Sequence, residues 1–245
     1  MRAMILAAGR GTRLRPLTNT VPKALVPVAG RPLIEYGLLF LKAQGIEEVV
    51  INLHHLGEKI SAALGDGSLY GLRLTYSPED PILDTGGGIK KVQAFLDGGT
   101  FIVLNCDTIL DLDLGALLAA HSHNHAAATL VLRPDLEAAR YGILETDAYG
   151  RIRRFLGQPA EVSEPLSGFM FTGLQVLEPR VFDFMPEGKP FSTTRDTYPQ
   201  MLRASEPLYG FIYTGSWMVV DSAEDMARAT QAIISGQVRL SYLRP

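Results

Sequence analysis

The residues best able to do chemistry stand in three places. Near the start lies Leu6-Ala7-Ala8-Gly9-Arg10-Gly11-Thr12-Arg13-Leu14-Arg15-Pro16. The apolar run Met4 to Ala7 before it reads as a buried strand, so the loop leaves the carboxyl edge of a sheet, where open α/β folds bind ligands. Gly9 and Gly11 allow positive φ and close backbone approach, which lets successive N–H groups turn toward phosphate oxygens. Arg13 and Arg15 add charge-assisted donors. Further on, Lys23 stands among the rigid prolines Pro22 and Pro27, suited to hold a compact positive charge over a polyphosphate. The third place is Asn105-Cys106-Asp107, where the apolar run Phe101 to Leu104 ends in a carboxylate. A strand-end aspartate is placed for a metal, and Mg²⁺ needs only a few carboxylates besides waters and phosphate oxygens. Each feature also has a plainer reading: a turn with solvated arginines, a solvated lysine, an aspartate capping a loop. Two other nucleotide signatures fail on spelling. The loop lacks the last glycine of a dinucleotide fingerprint, and no Gly-Lys-Ser/Thr of a P-loop occurs.

Elements to position these groups are legible in the pattern. Met4 to Ala7, Val49 to Leu53, Phe101 to Leu104 and Thr129 to Leu132 are continuous apolar runs, as expected of buried strands. Between them, Leu33, Tyr36, Gly37, Phe40 and Leu41 share a helical face that ends at Gly45, and a second amphipathic stretch covers Leu56 to Leu64. Strands alternating with helices predict an α/β fold with a mixed, mainly parallel sheet flanked by helices. After about Leu132 shorter runs follow at Tyr141 to Glu145, Ile152 to Phe155 and Phe169 to Val176, which predict antiparallel additions. Helices are expected over Thr194 to Ala204, capped by Ser192 and Thr193, and over Ser222 to Ile234, capped by Ser222. We expect one domain over residues 1–245, with halves at about 1–132 and 133–235 and a short tail over 236–245.

The chain has 245 residues, 47% of them hydrophobic, enough to bury a sizeable core. A formal net charge of −3 leaves no excess for wrapping nucleic acid or lying on an anionic membrane. The single cysteine, Cys106, cannot form an internal disulfide or a zinc framework, and the first apolar run is too short for a membrane span. A cytoplasmic protein is expected. His54, His55, His121, His123 and His125 have no convincing metal-ligand spacing and read as surface or packing histidines.

Taken together, the loop, Lys23, and Leu83-Asp84-Thr85-Gly86-Gly87-Gly88 following Tyr76-Ser77-Pro78-Glu79 resemble the sugar-1-phosphate nucleotidyltransferase family over essentially the whole chain. The likeness is strongest to bacterial N-acetylmuramate-1-phosphate uridylyltransferases and mannose-1-phosphate guanylyltransferase-like proteins. The resemblance implies a Rossmann-like fold of the nucleotide-diphospho-sugar transferase type, with a nucleotide-binding first half and a sugar-phosphate second half. It implies a nucleoside triphosphate, UTP or GTP, as one substrate, a sugar 1-phosphate as the other, and Mg²⁺ as cofactor. Leu6, Ala7, Ala8, Gly9, Gly11, Thr12, Arg13, Lys23 and Asp107 become candidate nucleotide contacts, with Arg13, Lys23 and Asp107 also catalytic. Gly86, Gly87 and Gly88 become a side-chain-free surface for the base, ahead of a helix beginning near Ile89. Arg140, Glu145 and Thr172 are candidates for the sugar phosphate, as are Arg195 and Asp196.

This sequence departs from the family pattern near its end. The family's Trp-x-Asp-x-Gly-Thr motif reads Trp217-Met218-Val219-Val220-Asp221-Ser222, so Val219 takes the position of the second metal aspartate. Valine has no oxygen to offer, which predicts impaired catalysis unless Asp221 replaces it. On a continuing strand Asp221 would share the face of Val219, and its carboxylate would have to span about 6–7 Å or the register would have to slip. Ala24 replaces the proline of a Lys-Pro pair, Cys106 stands where the family usually has glycine, and Gly157-Gln158-Pro159 replaces Glu-Lys-Pro. Two readings stay open: an enzyme forming a nucleotide-diphosphate sugar, and a nucleotide- or nucleotide-sugar-binding regulatory homologue without catalysis.

Overall fold

Runs of buried apolar residues become strands wherever the sequence is apolar on both faces. The computed structural model, which describes residues 1–134, 143–158 and 162–243, has strands at Arg2–Leu6, Glu48–Leu53, Phe101–Asn105 and Ala128–Arg133. Met4, Ile5, Val49, Val50 and Ile51 are fully enclosed, as both-faces burial requires. The chain forms two compact units: Met1–Ile82 with Leu104–Leu112 and Gly215–Pro245, and Leu83–Val103 with Asp113–Thr214. These units interleave along the sequence.

In the first unit Glu48–Leu53 pairs in parallel with Arg2–Leu6 on one side and Arg73–Pro78 on the other. Parallel neighbours need crossovers. The helix Leu33–Ala43 supplies one, burying Leu33, Ile34, Tyr36, Leu38, Phe40 and Leu41 and stopping at Gly45, whose φ of +78° suits a residue without Cβ. The helix Gly57–Leu64 supplies the next. A separate antiparallel pair joins Thr108–Leu110 to Trp217–Val219. After it comes the helix Ala223–Ile234, where the Ser222 side chain accepts a hydrogen bond from Asp225 N. The expected tail is docked through Leu243. Leu240 packs into a cluster with Val28, Tyr36, Ile109, Val220 and Ala229, and Ser241 donates to Asp111 through its N–H at 2.5 Å and its hydroxyl at 2.8 Å.

In the second unit the long strand Ser167–Leu177 runs antiparallel to Ala128–Arg133 and to Ile143–Thr146, and Ile152–Phe155 runs antiparallel to Ile143–Thr146. The antiparallel additions are therefore present. The sequence reading missed a parallel strand, Leu208–Ile212, beside Ala128–Arg133. The helix read as Thr194 to Ala204 begins with a wider π turn at Thr193–Thr197 and becomes regular at Tyr198–Arg203, with Ser192 accepting from Arg195 N. Among the described residues, no helix is long and apolar enough to cross a membrane. Arg140 lies outside the described residues, as does Tyr141 of the expected Tyr141 to Glu145 strand.

Candidate active site

The glycine–arginine loop starts where the first strand's ladder stops. Leu6 pairs with Asn52, and beyond it the Leu6 carbonyl accepts from Cys106 N at 3.1 Å while Ala7 N donates to the Asn52 side chain at 2.7 Å. Gly11 takes φ 59° and ψ 36° ahead of a short 3-10 turn at Thr12–Leu14. A Cβ there would lie 3.0 Å from both Lys23 Cβ and Thr18 Cγ2, so glycine is required by conformation and by space together. The Thr18 hydroxyl closes the loop by donating to the Gly11 carbonyl at 2.7 Å, and a His55 ring nitrogen donates to the Thr18 carbonyl at 2.9 Å.

Lys23 opens a 3-10 turn behind Pro22, next to buried Ala24. Its ammonium lies 2.6 Å from Asp107 Oδ2 and 2.5 Å from Asp221 Oδ1, and Arg13 reaches Asp221 Oδ2 at 2.8 Å. Burial alone would push the Lys23 pKa down, but the carboxylates of Asp107 and Asp221 outweigh it and hold the group above its ordinary value. Lys23 therefore stays charged. Two cations and two carboxylates pair in this cluster. One acceptor is left over: among the described residues, Asp107 Oδ1 is buried with no hydrogen-bond partner. Next to it, burial and the Asp107 charge push the Cys106 thiol up to about 12, leaving a neutral, packed sulfur rather than a nucleophile.

Asp221 reaches this cluster by a route the sequence did not reveal. The strand ends at Val219, opposite Thr108, and Val220 N then donates to the Asp107 carbonyl at 3.0 Å. Asp221 follows in the turn before the last helix, its own N–H on Asp225 Oδ2 at 3.2 Å. Residues 219 and 221 do not lie on one continuing strand, so neither a long reach nor a register slip is needed. The structure brings Asp221 to Lys23 and Arg13 and leaves Val219 in the ladder.

In the second unit the helix begins at Asp84, five residues before the expected Ile89, and covers Asp84–Lys91. Gly86, Gly87 and Gly88 are buried inside it. A Cβ on Gly86 would strike the Phe191 ring, and one on Gly87 would come within 2.9 Å of the Lys189 carbonyl oxygen. Gly86 N and Gly87 N both donate to the Phe191 carbonyl, at 2.9 and 3.3 Å. Both glycines are therefore closely packed, and both N–H groups donate within this unit. Of the other candidates, Thr172 is buried with its hydroxyl on the Val131 carbonyl at 2.9 Å, and Glu145 pairs with Arg154 at 3.2 Å. Arg195 pairs with Asp84 at 2.7 Å, and Asp196 accepts from Ser192 N at 2.7 Å.

Among the described residues no group of three or more histidine, cysteine or acidic side chains is arranged to hold a metal. His121 is buried between Thr129 and Glu178 as a packing residue. Sequence reasoning gave no role of their own to Asn52 and Glu79, which are 2% and 4% exposed. An amide inside the otherwise apolar run Val49 to Leu53 was the available signal, because a buried polar group must find partners.

The model of the nucleotidyl transferase family matches residues 2–236, and the chain belongs to that family. It is 34% identical to the UTP–glucose-1-phosphate uridylyltransferase of Synechocystis over 252 residues, which cover 98% of this chain and 65% of that protein. It is 40% identical to the N-acetylmuramate alpha-1-phosphate uridylyltransferase of Neisseria meningitidis over 193 residues, or 77% of this chain and 80% of the relative. The mannose-1-phosphate guanylyltransferase of Mycobacterium tuberculosis is 34% identical over 235 residues. The chain spans about two thirds of the Synechocystis and Mycobacterium relatives, 65% in each case. The crystal structure of HddC from Yersinia pseudotuberculosis complexed with GMP-PN superposes with a TM-score of 0.78 at 23% identity, over 95% of this chain and 99% of that one. The mixed, mainly parallel α/β fold is therefore that of the nucleotidyltransferases.

Proposed function

We propose that this chain transfers a nucleotidyl group from a nucleoside triphosphate to a sugar 1-phosphate, releasing pyrophosphate. The observation that carries the reading is the Lys23 ammonium held between Asp107 and Asp221 beside the glycine–arginine loop. Relatives named for uridylyl and guanylyl transfer favour UTP or GTP as donor. A phosphate oxygen of the sugar 1-phosphate attacks the α-phosphorus, the bond to the bridging oxygen breaks, and pyrophosphate leaves with the electron pair. Such transfers depend on positioning and charge neutralisation more than on covalent catalysis.

The loop from Leu6 to Arg13 orients the triphosphate through backbone N–H groups. Lys23 and Arg13 lend their charges to phosphate oxygens. Asp107, with its orphaned Oδ1, and Asp221 both reach the same Lys23 ammonium, and two such carboxylates would suffice for Mg²⁺ when phosphate and water complete the shell. When bound, Mg²⁺ neutralises charge developing on the α-phosphate. Asp107 and Asp221 would hold it, with Asp221 in the role that the Trp217–Ser222 spelling assigns to Val219. Glu145 and Arg195 remain candidate contacts for the sugar phosphate, as does Arg140, which lies outside the described residues.

The test is pyrophosphate release from UTP and GTP, each with a panel of sugar 1-phosphates and Mg²⁺, alongside direct nucleotide affinity. Turnover with one pairing, abolished by chelation, is expected. Tight nucleotide binding without turnover under any pairing would overturn the reading in favour of a regulatory homologue.

A further inference from the structure

The buried polar pair Asn52 and Glu79 has a geometry that hydrophobic burial does not explain. Asn52 and Glu79 are buried where two neighbouring parallel strands of the first unit end, and Asn52 Nδ2 donates to Glu79 Oε1 at 2.8 Å. On its other side Asn52 Oδ1 accepts from Ala7 N at 2.7 Å. Only one orientation of the amide satisfies both neighbours, because the peptide N–H can only donate and the carboxylate can only accept. A flipped amide would set donor against donor and acceptor against acceptor. Glu79 is itself fixed, its N–H on the Leu53 carbonyl at 2.7 Å and its carbonyl accepting from His54 Nδ1 at 2.9 Å.

The peptide unit gripped by this arrangement is the one between Leu6 and Ala7. Its N–H is held by Asn52, and its carbonyl accepts from Cys106 N, the residue before Asp107. That single plane is thus tied to Cys106, in the turn that carries Asp107, on one side and to Asn52 on the other. The direction of every following N–H in the loop starts from it. An apolar residue at 52 would fill the space without desolvating an amide, but it would leave the Ala7 N–H without its acceptor.

We infer that Asn52, oriented by Glu79, is a positioning residue that sets the triphosphate loop against Asp107. This rests on the loop being the triphosphate site. The experiment uses the full chain, with UTP and GTP plus Mg²⁺ as probes, and measures nucleotide Kd, KM for each substrate and Tm. Asn52→Leu should raise nucleotide Kd and KM tenfold or more while KM for the sugar 1-phosphate stays within twofold. Glu79→Leu, which removes one of the two groups that orient the amide, should follow it, and it carries the same expectation should Asn52→Leu fail to fold. Glu79→Gln retains an acceptor for the amide and should return nucleotide KM to within threefold of wild type. A folded Asn52→Leu or Glu79→Leu protein with unchanged nucleotide KM overturns the inference, and so does an equal rise in both KM values. Gly9→Val separates the two levels: if it too leaves nucleotide affinity unchanged, the loop reading fails, whereas if it alone weakens binding, only the positioning role fails.

Discussion

At Gly9 an added Cβ would meet nothing within 4 Å, whereas at Gly86 it would strike the Phe191 ring and at Gly87 it would press on the Lys189 carbonyl. One glycine keeps space open; the other two keep packing tight. The backbone follows the same division. Ala7 N is anchored to a side chain that fixes the loop's direction, while Gly86 N and Gly87 N donate to the Phe191 carbonyl. Two segments with similar spelling thus differ in what surrounds their glycines and in where their N–H groups donate. Gly11 is a third case. A valine there, the probe that the loop's spelling invites, would need a left-handed backbone and would crowd Lys23 and Thr18, so it would test strain as much as phosphate approach. Gly9 is the better probe.

The largest expected effect falls on the charged cluster next to the first segment. Asp107→Asn should lower Mg²⁺-dependent pyrophosphate release about 100-fold or more, roughly 2.7 kcal/mol in the barrier. Near-normal turnover at saturating Mg²⁺ would reduce Asp107 to a structural partner of Lys23. A smaller effect is expected from the paired glycine variants. Gly9→Val should weaken UTP or GTP binding about tenfold, about 1.4 kcal/mol, with Tm unchanged. Gly86→Ala should instead destabilise the fold by about 1–3 kcal/mol through overpacking, with nucleotide affinity per folded molecule unchanged. Titration calorimetry and thermal unfolding on both variants decide it. A stable Gly86→Ala protein that has lost nucleotide affinity would erase the distinction between the segments and return the triplet to base binding.

What the sequence reveals follows the range of the interactions involved. Val49 to Leu53 reads as a strand because burial on both faces leaves a local signature, and Ser222 reads as a cap because its partner, Asp225, is three residues away. Lys23 and Asp107 are identifiable by residue type and neighbours, although nothing local says that they touch. The role of Gly86 depends on Phe191, distant in sequence, so its spelling fits a base platform and a packing contact equally well. Asp221 was obscured by counting residues along an assumed strand. Its place depends on where the ladder with Thr108–Leu110 stops, which is set by pairing rather than by the spacing of the motif.

The central claim is that Asp221, not position 219, completes the catalytic cluster with Asp107 and Lys23. It is tested most directly by Mg²⁺-dependent pyrophosphate release in wild type, Asp221→Ala and Val219→Asp, measured with the donor and sugar 1-phosphate found to turn over. We expect a robust wild-type rate, a fall of about 100-fold or more in Asp221→Ala, and no gain in Val219→Asp. A weak wild-type rate that rises tenfold or more in Val219→Asp and is indifferent to Asp221→Ala would contradict the account and make Val219 the lesion of an impaired site.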